Sequence, residues 1–258
     1  MKTYFCSSDI HSFYTEWMIA LKTAGFDITN CEHVVIVCGD LFDRGSESLE
    51  CYNFVKQLAK ESRLIYIRGN HEDLLFDCVD AIKKHKYIGS HHQSNGTVNT
   101  VAQMMHCSPY DVLCHVYSNS QLDTLEAEFC KFIADTCIDF WELGNTVFVH
   151  GWVPTTADEN GYMIVHDNWR DGDWKEARWE NGMEMFKFGI HPEGKTVVCG
   201  HWHTSYGHKN ITKVCSTEFG PDACFDVFTQ PGIVALDACT AYTHSVNVFK
   251  FDEDGNVI

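Results

Sequence analysis

Carboxylate, imidazole and amide side chains recur in this sequence at one kind of place, just after a short apolar run. Asp9 and His11 follow Thr3 to Ser7, and Asp40, Asp43 and Arg44 follow Val34 to Cys38. Asn70 and His71 follow Leu64 to Ile67, His150 follows Thr146 to Val149, and His201 and His203 follow Thr196 to Cys199. A lone histidine among the fifteen is more often a surface or satisfied core residue than a ligand. Five coincidences of this kind are harder to explain that way. Oxygen and imidazole donors without a thiolate suit manganese, iron or zinc, and two such ions can share one carboxylate. Asp9 and His11 stand two apart on extended backbone, so both side chains can reach one ion.

The elements that must position these groups are strands. In VVIVCGDLFDRG, four apolar residues and Cys38 read as a fully buried strand, which a glycine ends before two aspartates and an arginine enter a turn. Phe13, Trp17, Ala20, Leu21 and Ala24 mark a helix face, and Ser46 can cap a second helix carrying Leu49, Tyr52, Phe54, Val55 and Leu58. Strand, helix, strand, helix, strand over the first seventy residues predicts βαβ units with parallel pairing, whose ligand sites lie at the C-terminal strand edge. The interval from Leu74 to about Asp139 reads mainly helical and is expected to serve as packing and cap. An aromatic, acidic insert follows over about 153–195, and Ile233 to Ala238 and Ser245 to Phe251 read as two paired strands. No linker or repeat divides the chain, so residues 1–258 are expected to form one domain.

A net charge of −17 and a pI near 5.2 argue against binding a nucleic-acid backbone or an anionic membrane surface. A phosphate substrate would then need bound divalent metal to neutralise it locally. No apolar run approaches the roughly 18 residues of a membrane span. The thirteen cysteines form no CxxC pair and no N-terminal stretch looks like a signal peptide, so reduced thiols and a cytoplasmic location are expected. Cys107 with Cys114, and Cys130 with Cys137, are each seven apart and are expected to share helical faces in the core.

The ordered set Asp9-Ile10-His11, GDLFDRG at 39–45, GNHE at 69–72, His150-Gly151 and GHWH at 200–203 resembles the motifs of the calcineurin-like metallophosphoesterases. GDLFDRG and GNHE are similar to the phosphoprotein phosphatase branch, which includes the diadenosine tetraphosphatases, and ALDACTAY near Asp237 resembles that branch's last strand and turn. The resemblance implies an α/β fold, a four-layer α-β-β-α sandwich of two mixed sheets flanked by helices. It implies a first divalent ion on Asp9, His11 and His203, a second on Asn70, His150 and His201, and Asp40 as the bridge. Manganese is expected, with iron or zinc as alternatives. A hydroxide shared by the ions would attack phosphorus while His71 protonates the leaving oxygen, Asp43 orients His71, and Arg44 and Asn70 hold phosphate. A second phosphate-gripping arginine, common in that branch, would be Arg170 or Arg178, although Asp171, Asp173 and Glu176 beside them also fit surface ion pairs. The chain departs from the branch at His150-Gly151-Trp152, where HGG is usual, and at His203, which the branch generally lacks.

The function expected first is hydrolysis of phosphomonoesters, in the manner of a serine/threonine protein phosphatase. The alternative is a dinucleoside polyphosphate hydrolase, acting on diadenosine tetraphosphate, to which GHW and the tryptophans point. Trp152, Trp169, Trp174 and Trp179 could line its cleft or pack the insert. A third reading is a non-catalytic metal-binding interaction module. Such a module normally loses ligands, and every one is present here. The partner is a phosphorylated substrate, either a phosphoprotein or a small phosphoester or nucleotide, and the oligomeric state stays open.

Overall fold

Runs rich in valine and isoleucine become strands because branched side chains fill both faces of a buried sheet. A computed structural model describes residues 1–258. In chain order its strands are β1 (Thr3–Ser7), β2 (His33–Cys38), β3 (Leu64–Ile67), β4 (Cys137–Ile138), β5 (Trp141–Leu143) and β6 (Thr146–Phe148). They continue as β7 (Thr155–Ala157), β8 (Met163–Val165), β9 (Thr196–Cys199), β10 (Phe228–Gln230), β11 (Ile233–Ala235) and β12 (Phe249–Phe251). One sheet has the order β12-β1-β2-β3-β4 and the other β10-β11-β9-β6-β5, while β7 and β8 pair alone. β1 to β4 run parallel with β12 antiparallel at the edge. In the second sheet β6, β9 and β11 are parallel, between antiparallel β5 and β10.

Alternation along each strand sorts side chains into layers. Tyr4, Cys6, Ile36 and Cys38 of the first sheet meet Phe148, Val198 and Leu236 of the second. Phe5, Val35 and Val37 face outward onto Trp17, Leu21, Phe54 and Leu58 of the helices. On the far side Val147, Val197 and Ile233 pack against Trp152, Trp174 and Met183. Helices, sheet, sheet and helices are the four layers the family resemblance implied.

Six helices carry the argument further: α1 (Tyr14–Thr23), α2 (Ser48–Lys60), α3 (Asn70–Lys83), α4 (Ser90–Ser94), α5 (Thr97–Met105) and α6 (Pro109–Leu113). Several details differ from the sequence reading. Glu47, not Ser46, precedes α2. α3 begins at Asn70, just after Gly69 and ahead of the helical interval expected from Leu74, so Asn70 and His71 project from a helix N-terminus. β11 and β12 do not pair; the chain between them crosses from one sheet to the other, and β11 takes β10 as its partner. The heptad-spaced cysteines do not share helices, because Cys107 and Cys114 lie just beyond α5 and α6 and Cys137 opens β4. All thirteen thiols are free. No helix is long and apolar enough to cross a membrane.

Candidate active site

The five strand ends do converge. Beyond β1 and β2 the ladder continues into the turns, with Asp9 N donating to Gly39 O (3.2 Å), His11 N to Asp40 O (3.0 Å) and Ser12 N to Leu41 O (2.8 Å). These bonds hold a strained path. Asp9, His11, Asp40, Asp43, Arg44 and His201 all have φ between 51° and 75°, the left-handed region that costs a residue with a Cβ about 1–3 kcal/mol. Gly39, at φ 80°, shows why glycine ends β2: a Cβ there would stand 2.5 Å from His150 Nδ1 and 2.7 Å from Gly69 Cα.

Asp40 sits between two groups of donors. Its Oδ2 is 3.9 Å from His11 Nε2, which is 4.0 Å from Asp9 Oδ1. Its Oδ1 is 3.3 Å from His150 Nε2, while Asn70 Oδ1 lies 2.9 Å from that nitrogen and 3.0 Å from His201 Nδ1. Donors about 2 Å from one ion stand about 3–4 Å apart, so both groups have the spacing of ligands. The tautomers agree. His11 Nδ1–H donates to Phe42 O (3.0 Å), His150 Nδ1–H to Cys38 O (2.8 Å) and His201 Nε2–H to Trp179 O (3.1 Å), so each ring turns its other nitrogen inward, where an ion could replace a proton.

The electrostatics also ask for cations. Asp9, Asp40, Glu72 and Asp237 are buried, while Arg44 lies on the exposed lip. Burial and neighbouring carboxylates push Asp9 and Glu72 up, and Asp237 well above the carboxylate range. Burial opposes charge on His150, but Asp40 outweighs it and raises the imidazole to about 10. Burial, then the neighbouring His150, lowers His201 to about 4. Divalent ions would compensate these carboxylates and take the place of the His150 proton.

His71 stands beside the first group. Its Nδ1 is 2.7 Å from Asp43 Oδ2 and its Nε2 is 3.3 Å from Arg44 Nη2. Burial works against its charged form, yet Asp40 and Asp43 raise its pKa above the usual histidine value. Asp43 is itself fixed by α5, which the sequence reading treated as packing: Thr97 Oγ1 donates to its Oδ2 (2.8 Å) and Thr100 Oγ1 to its Oδ1 (2.7 Å). The threonines lie more than fifty residues from Asp43, and only their spacing of three on one helix face hinted at a shared partner. Replacing both by valine is expected to lower kcat about tenfold by loosening the Asp43–His71 pair. A pH–rate profile should also show the alkaline limb, where His71 loses its proton, displaced to lower pH; an unchanged profile would assign the threonines to packing alone.

Glu72 is the other residue the motif reading passed over. Its carboxylate accepts from Asp40 N (3.0 Å), Leu41 N (3.1 Å), Gly69 N (2.7 Å) and Tyr66 Oη (2.8 Å), tying the turn after β2 to the start of α3. The turn after β11 is tied in similarly. Thr240 Oγ1 donates to Asp9 O (2.8 Å), and Asp237 accepts from Cys239 N (2.7 Å).

Three expected residues lie outside the convergence. His203 turns toward Ser205 Oγ (2.8 Å) and Glu218 Oε2 (3.8 Å), because Ser205 spends its proton on Glu218 O and leaves an oxygen for His203 Nδ1–H. Arg178 is buried, and a buried guanidinium requires carboxylates; it pairs with Asp73 (3.0 Å) and with Asp139. Arg170 lies over the Trp169 ring at 4.2 Å with its fork on Glu142, both bonds 2.8 Å. Neither arginine is free to grip phosphate. Hydrogen bonds from Arg170 hold Glu142 down to about 2, against 4.5 ordinarily. A depressed carboxylate pKa gives stability that is present above about pH 4.5 and fades toward pH 2. Arg170→Ala should therefore cost at most about 1 kcal/mol near neutrality, since the pair is largely solvated, and leave kcat unaltered. A fall in kcat would return Arg170 to the site.

Comparison with known proteins places this geometry. The chain aligns with the symmetrical bis(5'-nucleosyl)-tetraphosphatase of Actinobacillus succinogenes at 37% identity over 86 residues, 33% of this chain and 30% of that protein. With the asymmetrical bis(5'-nucleosyl)-tetraphosphatase PrpE of Bacillus subtilis the identity is 33% over 75 residues, 27% of this chain and 31% of the relative. The chain thus spans under a third of these curated relatives. Among solved structures, one described as a candidate diadenosine tetraphosphatase superposes with TM-score 0.53 at 14% identity, covering 100% of this chain and 92% of the other. A cold-active protein-tyrosine phosphatase of a psychrophilic Shewanella gives 0.52 at 13%, covering 98% and 76%. Both show a shared fold. A family model described as calcineurin-like phosphoesterase matches residues 2–236. With that match over most of its length, this chain belongs to the calcineurin-like phosphoesterases, hydrolases of phosphoric esters.

Proposed function

We propose that the chain hydrolyses dinucleoside tetraphosphates at a centre of two divalent ions. The observation that carries the substrate class is the likeness to proteins named bis(5'-nucleosyl)-tetraphosphatases. The phosphomonoester reading, foremost from the motifs, yields to its alternative on that ground. Surface chemistry supports the change. Trp179 and Trp202, 50% and 39% exposed, flank His201 with ring centroids at 5.9 and 6.2 Å. Trp152, Trp169 and Trp174 are core residues instead. Exposed indoles beside an anion site suit nucleobases, which stack on aromatic rings.

Asp9, His11 and Asp40 Oδ2 would hold one ion, and Asp40 Oδ1, Asn70, His150 and His201 the other. Manganese, iron or zinc would suit this nitrogen and oxygen set. When bound, two such ions offset phosphoryl charge and acidify a water for in-line attack. Arg44 grips the same phosphoryl group, close enough to His71 for both to act on it. His71, charged and held at Nδ1–H by Asp43, gives its Nε2 proton to the leaving phosphate oxygen as the bond from that oxygen to phosphorus breaks and the water oxygen bonds to phosphorus. The turns hold these groups rigidly, so little reorganisation accompanies the step.

A comparison of kcat/KM tests the substrate. Manganese-loaded protein is expected to favour diadenosine tetraphosphate over a phosphoserine peptide by about tenfold or more, because only the former has bases to stack. Preference for the peptide would restore the protein phosphatase reading.

A further inference from the structure

A cavity of about 480 Å³ opens between the Arg44 turn and helices α5 and α6, lined by Phe13, Arg44, Asn99, Gln103, Cys107 and Pro109 among others. Its size lies within the range of small-molecule sites. Arg44 is the single charged residue in its wall, so the cavity shares one group with the phosphate position and is otherwise neutral. Phe13 lies two residues beyond His11, partly exposed, with its ring against His244 at 5.6 Å. Gln103 is committed to the wall: its Oε1 accepts from Ser48 N (2.8 Å) and its Nε2 donates to Gly45 O (3.3 Å), fixing α5 to the Arg44 turn. Asn99 is exposed on α5, and its amide is spent on no neighbouring group.

We propose that this cavity is a nucleoside subsite. Arg44 meets the phosphate at its mouth, Phe13 stacks on the base, and Asn99 offers one donor and one acceptor to the base edge, as an amide pairs with adenine. The inference rests on the dinucleoside tetraphosphate reading and deepens it. Such a substrate carries a nucleoside at each end of its phosphate chain. Trp179 and Trp202 stand on the His201 side, and the cavity stands on the His11 side, so each end has a place. A peptide side chain would find no carboxylate or lysine here, whereas an uncharged base needs none.

Phe13→Leu and Asn99→Ala test the assignment on full-length protein loaded with manganese. In each variant the ratio of KM for diadenosine tetraphosphate to KM for p-nitrophenyl phosphate is expected to rise about tenfold, the loss of one stacking or edge contact. If the dinucleotide is hydrolysed and the ratio stays at its wild-type value, the subsite is overturned and the substrate reading stands. If wild-type protein leaves the dinucleotide intact, the substrate reading fails and calorimetric titration with adenosine decides the cavity. Adenosine binding weakened about tenfold in both variants keeps the nucleoside subsite. Equal binding in all three proteins, or none to the wild type, removes it.

Discussion

His71→Ala is expected to lower kcat for diadenosine tetraphosphate about 100- to 10,000-fold while bound metal stays at the wild-type level, the range for loss of a positioned proton donor. His71 Nε2 lies 3.8 Å from Asp40 Oδ2, as near as His11 Nε2, and what sets this residue apart from the ligands is the carboxylate, in place of a backbone carbonyl, on its other nitrogen. Its Nδ1 is taken by Asp43 at 2.7 Å, and its Nε2 faces Arg44 and the cleft rather than a carbonyl. A leaving group that needs no proton supplies the control. Nitrophenolate is a far weaker base than phenolate, so p-nitrophenyl phosphate should lose much less activity than phenyl phosphate. Equal losses on both substrates would assign His71 to binding. Asp43→Asn should give a smaller loss in the same pattern, since the ring remains but its tautomer is no longer fixed.

Glu72→Ala is expected to destabilise the fold by about 3–5 kcal/mol in denaturant titration, because four buried donors lose a charged acceptor together. Three of those donors are backbone amides of the turns that carry Asp40 and Asn70. Stability and activity should therefore fall together even though Glu72 reaches neither substrate nor ion. Glu72→Gln keeps one acceptor oxygen and should recover part of the stability. A loss under about 1 kcal/mol in the alanine variant would mean that the turns stand without this tie.

The strand-end groups were legible in the sequence because each apolar run stops abruptly, with a glycine just ahead of Asp40, Asn70 and His201, a serine ahead of Asp9 and His150 itself as the first polar residue, which fixes where the side chain sits. Asp9, His11, Asp40, Asn70, His150 and His201 meet for that local reason, repeated on neighbouring strands. What the sequence hid depends on partners far along the chain. Thr97 and Thr100 matter through Asp43, and the helix that brings them there is placed by packing, not by a motif. Arg170 and Arg178 kept the right chemistry for phosphate, but Glu142, Asp73 and Asp139 claim them, and no spacing rule reveals that. His203 follows the motif spacing yet turns away, since the Ser205 hydroxyl offers it a nearer acceptor. The last two strands looked paired because both are apolar; their separation into different sheets follows from the crossing near Asp237, which carries the chain past Asp9.

Counting manganese bound per chain at saturation, by equilibrium dialysis and elemental analysis, tests the shared two-ion centre most directly. The account predicts two ions for the wild-type chain and at most one for Asp40→Asn, because a single carboxylate serves both donor groups. A wild-type chain that saturates at one ion, or an Asp40→Asn chain that still holds two, would contradict it.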